Sequence, residues 1–69
     1  MTGYQINLII KIGEEYGQYQ KWLAESNEND SVVSVKLGRV SGLIEALNLL
    51  DGRSHTIYEI LDLYEELTK

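Results

Sequence analysis

YQINLIIKIGEEYGQYQKWLAES, Tyr4 to Ser26, can be read two ways, and the fold class turns on the choice. Tyr4, Ile6, Leu8, Ile10 and Ile12 alternate with Gln5, Asn7 and Lys11, which is the period of a strand. Ile9 breaks the alternation. The same stretch places Leu8, Ile12, Tyr19 and Trp22 on one helical row, with Ile9, Tyr16 and Leu23 on its flank. Length favours the helix. The pattern runs past Gly13 to Ala24 without a turn signal, whereas strands stop at about 4–8 residues. The sequence predicts one long first helix; the alternative is a strand at 4–12 followed by a shorter helix. Thr2-Gly3-Tyr4-Gln5 matches a capping box, with Thr2 as N-cap and Gln5 reaching back.

Next comes Asn27-Glu28-Asn29-Asp30, a polar loop of turn formers. Ser31 to Gly52 then reads as a second helix. Val33, Leu37, Val40, Ile44 and Leu47 form its apolar row, with Val40, Leu43, Leu47 and Leu50 beside it. Asp30 or Ser31 can cap its start, and Asp51-Gly52 can close it with glycine in the left-handed conformation. So short a connection makes the two helices antiparallel neighbours. Gly13 and Gly17 frame GEEYG; Gly38 and Gly42 frame GRVSG, at a similar distance from the loop. Each interior glycine costs about 1 kcal/mol against alanine. The expected compensation is a close crossing of the two helices at these four positions.

Arg53-Ser54-His55 forms the second connection, and Thr56-Ile57-Tyr58-Glu59 is another capping box. Ile57, Ile60, Leu61, Tyr64 and Leu67 recur at helical spacing through the C-terminal segment. Glu65 and Glu66 crowd its last turn, where the helix dipole disfavours acids. The predicted fold is a single all-α domain over 1–69: two long antiparallel helices and a shorter third.

Composition narrows the function. The absence of proline and a 43% hydrophobic content argue for a folded chain. Without cysteine there is no disulfide framework and no thiolate metal site, and a single histidine disfavours zinc. No cofactor is expected. No apolar run approaches the roughly 20 residues of a membrane span. Ile6–Ile12 lacks the basic leader and cleavage site of a signal peptide, so a cytoplasmic protein is expected. A net charge of -5 disfavours direct nucleic-acid binding, which rests on neutralising phosphates. A helix-turn-helix reader would need a basic recognition helix, whereas the third helix carries Glu59, Asp62, Glu65 and Glu66.

Few residues are candidates for chemistry. Glu25-x-x-Glu28 and Glu59-x-x-Asp62 would each put two carboxylates on one helix face. Such pairs resemble those of all-α pyrophosphohydrolases of the MazG type, and the resemblance implies Mg²⁺ held against a nucleotide. No Lys or Arg set for phosphate accompanies them, and solvated helix faces are the simpler reading. His55 has no neighbouring nucleophile and reads as a surface loop residue. Lys36 and Arg39 are expected to pair with Glu14, Glu15 or Glu45. Tyr16, Tyr19 and Trp22 lie on one side of the first helix, as core or as interface anchors.

LGRVSGLIEALNLL, Leu37 to Leu50, resembles segments of the small acidic helical proteins of phages and prophages of Gram-positive bacteria. That resemblance implies a cytoplasmic, non-enzymatic accessory protein. The expected function is a structural or interaction module that forms a homodimer through Tyr16, Tyr19, Trp22, Leu43 and Leu47, with a further protein partner possible in kind. The physical reason is a surplus of apolar side chains on more than one face of both long helices, each contributing about 1.5–3 kcal/mol when buried. An acidic inhibitor of a basic groove on a host nucleic-acid enzyme is the alternative. A metal-dependent nucleotide hydrolase comes third.

Overall fold

The computed structural model describes residues 2–25 and 31–69, of which 31 and 32 are described by backbone alone. These residues form three helices and no strand: α1 Gly3–Glu25, α2 Ser31–Asp51 and α3 Ile57–Leu67. The all-α architecture of two long helices and a shorter third is as the periodicity predicts. The strand at 4–12 is not formed. The expected loop at 27–30 lies outside the described residues.

The ambiguity of α1 has a structural cause. α1 packs against both α2 and α3, while α2 and α3 scarcely approach each other. A helix flanked on two sides needs apolar residues over a wide arc. Ile9 and Ile12 lie at its centre, fully buried, and Leu8 packs beside them. Ile6 and Ile10 are half-buried on the side of Gly13. Broad coverage of the N-terminal turns thus mimics the alternation of a strand.

Ile9, Ile12, Val40, Leu47 and Ile60 form the core, with Tyr16, Leu43, Ile44, Leu63 and Tyr64 packed around it. The first capping box closes in both directions, and the second caps α3 through the Thr56 side chain. Thr2 Oγ1 accepts from the Gln5 amide at 3.3 Å and Gln5 Oε1 from the Thr2 amide at 2.7 Å. Thr56 Oγ1 accepts from the Glu59 amide at 3.2 Å. Gly52, at φ 69°, closes α2 in the left-handed conformation. Thr68 closes α3, its amide and hydroxyl both donating to the Tyr64 carbonyl.

The expected glycine crossing is corrected. A Cβ on Gly17, Gly38 or Gly42 would meet nothing within 4 Å. Equal distance from the loop sets these residues at one level but does not turn them toward each other. Gly38 and Gly42 lie on the side of α2 opposite Val40 and Leu47. Close approach does occur at Gly13, against α3 instead of α2: a Cβ there would stand 2.3 Å from the Tyr64 ring.

Candidate functional site

The residues expected at an interface are buried or half-buried. Leu47 is fully buried within the single chain and offers nothing to a partner, a correction that follows from its place on the α2 row facing Ile9 and Ile60. Tyr16 and Leu43 pack against the core as half-buried neighbours. Tyr19 and Trp22 are half-buried, and the Tyr16 and Tyr19 rings lie 5.9 Å apart. The large apolar side chains most open to solvent are others: Tyr4 and Leu49, each 79% exposed, and Tyr58, Val35 and Leu50.

Polar chemistry is gathered at two places. Between α1 and α2, Lys36 Nζ donates to Glu15 Oε2 and to Gln18 Oε1, each at 2.7 Å. The ammonium also stands 5.1 Å from the Trp22 ring centre, an attractive cation–π placement. Arg39 approaches the other Glu15 oxygen at 4.0 Å. The pairing of Lys36 and Arg39 with Glu15 is among those expected from sequence. The hydrogen bond from Lys36 holds the Glu15 carboxyl below the usual range despite the opposing effect of burial.

The second cluster joins the three helices at the α2–α3 corner. His55 was expected on the surface, but its side chain is only 3% exposed. Its Nε2 lies 2.6 Å from Asp51 Oδ2, and its Nδ1 lies 3.8 Å from Glu59 Oε2. The His55 amide donates to Asn48 Oδ1 at 2.8 Å. Gln5 of α1 donates to the other Asp51 oxygen. The His55 hydrogen bond, followed by that of Gln5, holds the Asp51 carboxyl below its usual range. Sequence reading missed this cluster. Its signal was the spacing Asp51, His55, Glu59, which stacks three polar groups at intervals of four across a helix end and a helix start.

An imidazole beside a carboxylate is the orienting half of an acid–base arrangement. Here both ring nitrogens face carboxylates and solvent scarcely reaches the ring, so the geometry serves to pin helices. A shallow hollow lined by Glu45, Asn48, Leu49, Gly52, Arg53 and Ser54 opens beside it. Among the described residues no group of three His, Asp or Glu side chains could hold a metal ion. Glu59 and Asp62 are both exposed on α3, while Glu28 of the other acidic pair lies outside the described residues. No described helix is long and apolar enough to cross a membrane. Comparison with protein-family models, curated proteins and solved structures finds no match.

Proposed function

We propose that the protein is a small structural or interaction module that works by self-association, as a cytoplasmic accessory protein of the phage or prophage kind. One observation carries this reading. Among the described residues six hydrophobic side chains are buried, whereas eight large ones remain open to solvent. A chain of 69 residues has little interior, and burial of Tyr4, Leu49 or Tyr58 against another surface would contribute what the single copy forgoes. Light scattering over a hundredfold range of concentration, roughly 5 to 500 μM to span weak association, tests it. Mass should rise above 7.9 kDa; a constant monomer mass would sink it.

A second reading keeps support from α3. Glu59, Asp62, Glu65 and Glu66 are all exposed on this helix, and a row of carboxylates suits an inhibitor that blocks a basic groove. Capture of a nucleic-acid enzyme at low salt, released by high salt, would favour it over self-association.

A further inference from the structure

We propose that the face of the α1–α2 hairpin turned away from α3 binds the acidic outer face of α3 from a second copy, building a head-to-tail assembly. This rests on the self-association proposed above and specifies its two surfaces.

The receiving face is made of two rows. Tyr4, Leu8, Lys11, Glu15, Gln18 and Trp22 follow a four-three repeat along one side of α1. Lys36, Arg39, Leu43, Ala46 and Leu50 do the same on α2. The contacts of Lys36 with Glu15, Gln18 and Trp22 place the rows side by side. α3 lies elsewhere, held at Gly13, which is two residues and therefore about 200° around α1 from Glu15. Along these rows, from Tyr4 to Trp22 and from Lys36 to Leu50, three cations stand against one carboxylate, and the next acid of the α1 row, Glu25, lies at the end far from Tyr4 and Lys11. Glu15 takes Lys36 at 2.7 Å and meets the end of Arg39 at 4.0 Å, so one carboxylate serves two cations; with Lys11 beside them these positions carry surplus positive charge, the Arg39 side chain being 64% exposed. Tyr4 and Leu50 add an open apolar end.

The outer face of α3 is the complement. Tyr58, Glu59, Asp62, Glu65 and Glu66 share it, all exposed. The spacing agrees. Tyr4 to Lys11 spans about 10 Å along α1, and Tyr58 to Glu65 or Glu66 spans about 10–12 Å along α3. Tyr58 seated on Tyr4 and Leu50 therefore brings the acids to the level of Lys11. A chain of net charge -5 repels its own copies, and contact is favoured where opposite charges meet. The two surfaces differ and lie on different sides of one chain. Each copy can then give one and receive one, so assembly continues past the dimer. A contact built on one helix of about 16 Å is small, hence weak and salt-sensitive.

The test is sedimentation velocity with charge-reversed variants. At about 50 mM salt, where screening is modest, the wild-type mass should climb past the dimer with concentration, and at about 500 mM it should fall back to monomer. Lys11→Glu with Arg39→Glu should be monomeric alone, as should Asp62→Lys with Glu66→Lys. Mixing the two variants restores both complementary contacts and should restore assembly. All four positions are exposed, and circular dichroism reports whether each variant folds. If the variants do not fold, the wild-type salt series decides alone. A salt-insensitive plateau at the dimer would overturn this mode while leaving self-association standing. A monomer under every condition would overturn both.

Discussion

Gly13 is the position where one atom decides packing. Gly13→Ala would gain about 1 kcal/mol of helix propensity but forces the Tyr64 ring aside, an overpacking that costs about 1–3 kcal/mol. The net effect expected is a lower melting temperature. Gly42→Ala meets nothing and should raise it, by about 4–8 °C for each kcal/mol in a domain this small. Thermal melts of the two variants should move in opposite directions. Asp51 and Glu15 supply a pH signature. Both carboxyls are held below their ordinary values of 3.8 and 4.5 in the folded chain. A carboxyl depressed in this way stabilises the fold above its unfolded value and loses that contribution as pH falls through its folded value. Stability should thus fall below about pH 4, and Asp51→Asn should flatten that limb in urea titrations run from neutral pH downward.

At the scale of elements, the Glu15–Lys36 pair joins α1 to α2 with a tenth of each side chain exposed. Lys36→Met leaves Glu15 and Gln18 without their donor and should cost about 1–2 kcal/mol, discounted for residual solvent access. Replacing both Glu15 and Lys36 with apolar residues should cost less than the single change. Urea midpoints of both single variants and the double decide it; a double loss equal to the sum of the two single losses would mean the pair carries no coupling. The legibility of the elements follows the same division. Thr2, Gly52 and Thr56 act on neighbours three or four residues away, so their caps could be read from the chain. The partner of Gly13 is Tyr64, across the molecule, and local spacing carries no trace of it.

Over the whole molecule, α1 is the shared wall of the core. Ile9 and Ile12 reach full burial only because α2 closes one flank of α1 and α3 the other. A chain ending at Gly52 loses Ile57, Ile60, Leu63 and Tyr64 from that core. It should lose most of its helical circular dichroism, since isolated helices in water are marginal without a packed apolar face. A fragment with undiminished ellipticity per residue would show the hairpin to be self-sufficient.

The chain's own order determined the three helices, their caps and the antiparallel hairpin, because propensity, capping and hydrophobic period act over a few residues. Only the tertiary structure decided which apolar positions became core. Leu47 and Tyr16 turn inward, and Leu49, Tyr4 and Tyr58 turn outward, because the angle at which one helix meets the next selects among adjacent rows. The same holds for His55. Its burial between Asp51 and Glu59 depends on how the α2–α3 corner closes over it, and a four-residue spacing becomes a polar pin only when that corner forms.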